Sequence, residues 1–350
     1  MSQHETLRLE LIPGPLSAGR LSTESLSTEQ LDAITALATA AQQADGAPPF
    51  SEQTLVALRR PGSVALAAAW QSPGTATESS TAEGTRTPGG GAEQLVGVGV
   101  VVLGDNTPGE ETPDVLEMAV HPDHRGQQIA IQLAQLLESS LSGSSDRAAG
   151  ARAWAHGEHP AAPRLAQRFG WSPVRELWRM RLENSVDAPQ LTLPDGVRLR
   201  SFVPGEDDAA WLAVNAAAFA DHPEQGQLTQ QDLQARIDSD WFNPEGFLLA
   251  EEDGELLGFH WTKIAPNQPG EVLGEVYVVG VAPQAQGRGL GASLTAAGIN
   301  YLRGQNVDAI ILYVDASNTA AAQLYKKLGF TVWDVDTQYA PGAEASAEIS

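Results

Sequence analysis

The stretch that decides the fold runs from Val276 to Gly291: V-Y-V-V-G-V-A-P-Q-A-Q-G-R-G-L-G. Val276 to Val281 is apolar and mostly β-branched, which predicts a buried strand, and Pro283 ends it. Gln286-Gly287-Arg288-Gly289-Leu290-Gly291-Ala292 then forms a glycine-rich turn, beyond which Leu290, Leu294, Ala297 and Tyr301 keep helical spacing. A strand, a glycine turn and a helix in that order aim free backbone N–H groups and a positive dipole end at one point, which suits a pyrophosphate. Glycine lets the backbone approach phosphate oxygens with no Cβ in the way. Arg288 supplies a cation there. No Gly-Lys-Ser/Thr closes the turn, so the P-loop reading fails.

The chain has 350 residues, enough for two domains, and a net charge of −23. That charge repels a phosphate backbone, so a nucleic-acid partner is not expected. It suits a cationic amine substrate. No apolar run approaches the roughly 18 residues a membrane span needs, and Met1 to Glu10 lacks a basic region followed by an apolar one. The expectation is a cytoplasmic monomer with no membrane partner. Cysteine is absent, which removes both a disulfide framework and a thiolate nucleophile.

The two halves echo each other. In the first, strands are expected at Val96–Leu103 and Val115–Val120, then His121-Pro122-Asp123-His124-Arg125-Gly126 and a helix through Leu137. In the second, Glu255–Trp261 and Val276–Val281 precede Ala282-Pro283-Gln284-Ala285-Gln286-Gly287. Later, Arg164 to Trp171 parallels Gln323 to Phe330. The order and spacing predict a tandem duplication of one α/β domain with a mixed sheet. Proline-punctuated Asn184 to Gly196 is the natural boundary, giving domains at 1–183 and 196–340, a linker at 184–195 and a tail at 341–350. Gln71 to Gln94, rich in Ser, Thr, Gly and Pro, is expected to be a disordered insertion.

The copies differ chemically. With Pro122 aligned on Pro283, Gly289 meets Gln128 and Gly291 meets Ala130; with Gly170 aligned on Gly329, Tyr325 meets Ala166. A side chain at 128 is expected to crowd a phosphate, and the first half lacks a proton donor. In the second half, backbone N–H groups of Val276–Val281, Val279 above all, can face a ligand oxygen, and Glu275 is the best-placed carboxylate for a base. Ala309–Val314 reads as a buried strand, with Ser317 or Asn318 as N-cap of a helix Thr319–Lys327 that carries Tyr325. His121 with His124, and His156 with His159, lack a third ligand; they read as solvated loop residues and no metal is expected.

The order Gln-x-x-Gly-x-Gly after a Val-rich strand and a proline resembles the acyl-coenzyme A loop of the GNAT superfamily of N-acetyltransferases. Asn318-x-x-Ala321-x-x-Leu324-Tyr325-x-x-x-Gly329-Phe330 resembles its closing motif, whose tyrosine commonly serves as the acid. The likeness extends further. Asn215 to Phe219, His222 to Gly226, Gly258 to Lys263, Gly274 to Val278, Trp154 to Gly157, Val174 to Leu177, and Asp45-Gly46 with Pro49 and Glu52 are similar to mycothiol synthases. That resemblance implies two tandem GNAT-like domains and direct acetyl transfer from acetyl-CoA to the cysteinyl amine of a glucosaminyl-inositol. It implies that Glu52, Glu224, Lys263, Glu275 and Tyr313 contact this small-molecule acceptor. Val279-Gly280-Val281, Gln286 to Ala292 and Asn318-Thr319-Ala320-Ala321-Ala322-Gln323 would hold the productive acetyl-CoA. Met118-Ala119-Val120 and Arg125-Gly126-Gln127-Gln128-Ile129-Ala130 would form a second CoA site, where Gln128 and Ala130 depart from the pattern. The alternatives are acetyl transfer to another amine (an aminoglycoside, a polyamine or a protein N-terminus) and a non-catalytic acyl-CoA sensor.

Overall fold

The computed structural model describes residues 7–12, 25–72, 93–104, 112–141, 150–220, 223–268 and 270–342. The chain divides into two compact units, Met1–Glu176 with Val335–Ser350, and Leu177–Asp334. The first contains β1 (Leu7–Ile12), α1 (Thr28–Asp45), α2 (Glu52–Ala57), β2 (Val64–Gln71), β3 (Gln94–Val102), β4 (Val115–Val120), α3 (Ile129–Leu141), β5 (Arg152–Ala155) and α4 (Ala162–Arg168). β6 (Trp171–Glu183) leads into the second unit, with β7 (Arg198–Ser201), α5 (Asp208–Ala218), α6 (Pro223–Gly226), α7 (Gln230–Ile237), β8 (Phe247–Glu252), β9 (Glu255–Gln268), β10 (Glu271–Val281), α8 (Leu290–Gly304), β11 (Ala309–Asp315), α9 (Thr319–Lys327) and β12 (Thr331–Pro341).

Within the first unit the strand order is β1-β2-β3-β4-β5-β12, and within the second it is β6-β11-β10-β9-β8-β7. Each sheet is mixed: β4 runs parallel to β5, and β10 to β11, while the other pairs are antiparallel. The repeated element order matches the expected duplication. The unit boundary does not follow the proline-rich segment. Leu177–Glu183 pairs with β11, and Thr337–Tyr339 pairs with β5. Each copy's last strand therefore finishes in the other unit. Asn184 to Gly196 marks the end of a strand rather than the end of a unit.

Local chemistry explains the main elements. Ser27 and Gln30 close a capping box on α1, and Gly46, at φ 77°, ends it in the left-handed conformation. Ile34, Leu37 and Ala41 fall on one face of that helix and are buried. On the other side of the first sheet α3 packs so closely that a Cβ on Gly97 would lie 2.7 Å from Ile129 Cγ2. In the second unit Phe247, Phe259 and Trp261 on one sheet face pack against Trp211 of α5, all four fully buried, with Phe247 and Trp261 stacked at 4.3 Å. Each such side chain contributes about 1.5–3 kcal/mol by leaving water. Helices α8 and α9 cover the opposite face through Ile299, Leu302 and Tyr325 against Met180, Val276, Ile310 and Leu312. Gln71 pairs with Gln94, so the insertion joins two paired strand ends; residues 73–92 within it, and 343–350 of the tail, lie outside the described residues.

Candidate active site

The second sheet opens at one place. β10 pairs with β9 as far as Val281, but its ladder with β11 runs only from Leu273 opposite Ala309 to Val276 opposite Leu312. Beyond that point β10 continues to Val281 and β11 to Asp315. The N–H of Ala282 donates to Leu257 O at 2.9 Å. Successive residues of a strand turn their N–H groups to opposite sides, so those of Val279 and Val281 face away from β9, towards the opening. Tyr277 is an extra residue between the pairs Val276–Thr262 and Val278–Trp261, a β-bulge that re-aims the strand just before Val279.

Below the opening lies the glycine turn. Pro283–Ala285 forms one 3-10 turn, Gly287 and Gly289 take φ 78° and 81°, and Gly289 caps α8 with no side-chain hydrogen bond. The first N–H groups of this helix therefore lack a side-chain acceptor. A Cβ at Gly287 or Gly289 would meet nothing within 4 Å, so these glycines answer to backbone conformation and leave the space in front of the helix clear. Gly280 has another reason: a Cβ there would lie 2.8 Å from the Phe259 ring. Leu290 and Ala322 are buried in the core, which leaves only their backbone for a ligand. Gln286 donates to Val281 O at 3.3 Å. Arg288, expected as the cation at this turn, is held in a two-pronged pair with Glu252, both contacts 2.8 Å.

One row of residues crosses the sheet beside the opening. Lys263 on β9 is opposite Glu275 on β10, Glu275 is opposite Ile311 on β11, and Ile311 is opposite Arg181 on β6. Paired residues project to one face, and Tyr313, two further along β11, shares it. Lys263, Glu275 and Tyr313 therefore lie on a common face. The Lys263 ammonium sits over the Trp241 and Tyr277 rings, at 4.9 and 5.4 Å from their centroids. Arg181 donates to Glu271 at 2.7 Å and to Glu183 at 2.6 Å.

Tyr325 belongs to the other face, packed among Val276, Leu312 and Phe330. Burial pushes its hydroxyl up to about 12. A continuous sheet would separate Glu275 from Tyr325; here the β10–β11 pairing ends at Val276, one residue past Glu275, and Val276 packs in the same core cluster as Tyr325. Asn318 caps α9 by accepting from Ala321 N–H at 3.1 Å, and Lys326 and Lys327 occupy its last turn. Glu224 falls in α6, its side chain outside what the structure describes, while Asn215 and Gln225 bind that segment reciprocally at 2.6 and 2.9 Å. Glu52 belongs to the first unit, exposed in the first turn of α2 behind its N-cap Ser51.

The first unit repeats this plan with different chemistry. β4 pairs with β5 only through Val115–Arg152 and Leu116–Ala153, and the N–H of His121 donates to Val96 O at 2.9 Å, which turns those of Met118 and Val120 away from β3. Yet β4 pairs with β3 in unbroken register, without a bulge. Gln128 takes φ 63°, so it keeps the left-handed turn of its counterpart Gly289 despite its side chain. Arg125, the counterpart of Gln286, likewise reaches the last strand carbonyl, Val120 O, at 3.3 Å and pairs with Asp45 at 2.7 Å. Past the paired residues, buried Glu117 on β4 meets His156 at 3.2 Å, and His156 meets Asp336 at 2.9 Å. Glu117 also accepts from Ser51 N–H, and Asp336 from Gly157 N–H. His156 is thus a buried ion-pair centre and not the solvated loop histidine its sequence context suggested. Among the described residues no group of His, Asp and Glu is arranged to hold a metal ion, and no helix is long and apolar enough to cross a membrane.

Comparison with known proteins places this architecture. The acetyltransferase (GNAT) family model matches residues 211–330. A mycothiol acetyltransferase of Paenarthrobacter aurescens is 51% identical over 91% of this chain and 94% of its own. The chain belongs to the mycothiol acetyltransferase family. It is an N-acetyltransferase. Another family member, from Streptomyces coelicolor, is 45% identical over 97% of this chain and 99% of its own. Two solved structures share the fold: a GCN5-related N-acetyltransferase from Sphaerobacter thermophilus (24% identity, TM-score 0.62, 97% of this chain and 98% of that one) and a tandem GNAT protein from the clavulanic acid pathway (19%, TM-score 0.62, 96% and 99%).

Within this mycothiol acetyltransferase framework, the bulge at Tyr277, the ring platform under Lys263, the Arg288–Glu252 pair and the Glu117–His156–Asp336 cluster were not read from the sequence. A bulge leaves no mark in an apolar run, and the other features join residues far apart in the chain. The adjacent residues Trp241 and Phe242, in a segment of otherwise polar character, are the nearest local signal.

Proposed function

We propose that the protein acetylates the cysteinyl amine of a cysteinyl-glucosaminyl-inositol with acetyl-CoA, forming mycothiol by direct attack at the second unit. The observation that carries this reading is the parted β10–β11 ladder, with Val279 N–H turned to the opening, Glu275 on one face and Tyr325 on the other. The uncapped start of α8 and the clear space before Gly287 and Gly289 fit a pyrophosphate. In this reading Arg288 leaves Glu252 or holds a phosphate beside it. The amine nitrogen attacks the thioester carbonyl, Val279 N–H receives the developing oxyanion, and Glu275 takes the ammonium proton. The carbon–sulfur bond then breaks and Tyr325 protonates the leaving thiolate. Lys263 donates to acceptor oxygens, and Tyr313, 41% exposed, lines the same face.

Incubating the protein and acetyl-CoA with a panel of amines tests the acceptor. Selective turnover of the cysteinyl pseudodisaccharide is expected. Turnover of an aminoglycoside, a polyamine or a peptide N-terminus, with none of the pseudodisaccharide, would overturn the assignment. A Cys-free chain leaves no acyl-cysteine relay, so steady-state rates should fit a ternary complex and not a ping-pong scheme.

A further inference from the structure

Lys263 is held by more than its place in the sheet. Its ammonium lies over two rings from different elements: Trp241, between α7 and β8, at 4.9 Å, and Tyr277, the bulge residue of β10, at 5.4 Å. The two rings stand 5.0 Å apart at 58°, so they form two walls of a corner. Both are half-buried, with Trp261 behind them at 5.8 and 5.4 Å. Tyr277 is pinned from its far end, since Arg236 Nε on α7 donates to its hydroxyl at 3.1 Å. Arg236 is itself fixed through Nη1 to Asp232 O at 2.8 Å. The two rings thus bracket a flexible ammonium on the face and in the row of Glu275.

We infer that Trp241 and Tyr277 are positioning residues that set where Lys263 presents its ammonium to the acceptor, with Arg236 holding the Tyr277 ring. Neither ring needs to touch the reacting atoms. Each face attracts the ammonium through the ring quadrupole, and partial burial strengthens that attraction. Lysine on a four-carbon stem loses rotamer freedom whenever it binds. A corner that fixes it beforehand moves that cost out of the binding step. This inference rests on the reading of Lys263 as an acceptor contact, and Tyr277 adds a second consequence: the ring that guides Lys263 sits on the bulge that aims Val279.

The test compares Trp241→Leu, Trp241→Phe, Tyr277→Phe and Lys263→Met in the full chain, using whichever amine the wild type acetylates. Trp241→Leu should raise the acceptor KM about five- to tenfold, leaving the acetyl-CoA KM within twofold. Trp241→Phe, which keeps a ring, should recover most of that loss. Tyr277→Phe keeps the ring and frees it from Arg236, so its effect should be smaller than that of Trp241→Leu. The deciding measurement is the double variant: once Lys263 is methionine, Trp241→Leu should add less than twofold to the acceptor KM. Full additivity would overturn the inference, as would an unchanged KM in Lys263→Met. Equal losses in both substrates' KM values, tracking a fall in melting temperature, would mean that Trp241 only packs the core. The identity of the acceptor is read separately, from the wild type.

Discussion

Tyr325 shows how a residue's surroundings alter what its side chain can report. Its hydroxyl, pushed up to about 12 by burial, stays protonated through any ordinary assay range. Tyr325→Phe should therefore lower kcat by about 10²- to 10⁴-fold without moving either limb of the pH–rate profile. Glu275→Gln should lower kcat by a similar factor. A basic limb near neutrality that disappears in Tyr325→Phe would show a much more acidic phenol than this burial allows. His156 makes a contrasting case. Burial alone would lower its pKa, but hydrogen bonds to Asp336 and Glu117, with their charges, outweigh that and hold it at about 10. The folded value lies above the unfolded value of about 6.5, so the stability it contributes is complete below pH 6.5 and is lost as pH rises to 10. The wild type should lose a few kcal/mol of unfolding free energy across that window. Asp336→Asn, starting less stable, should lose clearly less. Parallel pH dependences for the two proteins would remove the cluster from the account.

At the scale of elements, glycine turns and capped helices are written locally, and these were legible. The helix Thr319–Lys327 and its Asn318 cap follow from an N-cap, a periodic stretch and a lysine-rich end, and the strand Val115–Val120 from apolar patterning. β10 begins at Glu271, before the apolar run starts, because its early residues are fixed by neighbours on both sides. The same contrast separates the two turns. Gly289 and Gln128 share the left-handed conformation, but only glycine holds it without strain. A left-handed non-glycine residue costs about 1–2 kcal/mol, and glycine's greater freedom in the unfolded chain returns about 0.4–1 kcal/mol of the gain from replacing it. Gln128→Gly should thus raise stability by about 0.5–1 kcal/mol in denaturant titrations and leave acetyl transfer unchanged. Gly289→Ala should cost about 1 kcal/mol and raise the acetyl-CoA KM at least tenfold, because its methyl group enters the space before α8. Equal kinetic losses at both positions would show that the two turns serve the reaction alike.

For the whole molecule, the duplication was legible but its division was not. Sequence punctuation reports where regular structure stops, whereas a folding unit is decided by which strands pair. Cutting at the linker to give 196–340 removes Leu177–Glu183, which pairs with the whole of β11 and buries Met180 and Leu182 to 0% and 1% exposure. Losing two such side chains forfeits about 3–6 kcal/mol before any backbone bonds are counted. A domain stable by only about 5–15 kcal/mol cannot spare that amount easily. The continuous segment 177–334 keeps this strand together with α8, α9 and the row from Lys263 to Arg181. It should melt in one cooperative transition, and 196–340 should melt at least 10 °C lower or show no transition, since about 1 kcal/mol moves a domain of this size by several degrees. The fragment 1–183 should fare no better. It lacks the strand beside β5 and the Asp336 carboxylate, leaving β5 joined to β4 through two residue pairs and His156 with Glu117 alone. Calorimetry of the three fragments decides the matter: a 196–340 transition at or above that of 177–334 would return the boundary to the linker.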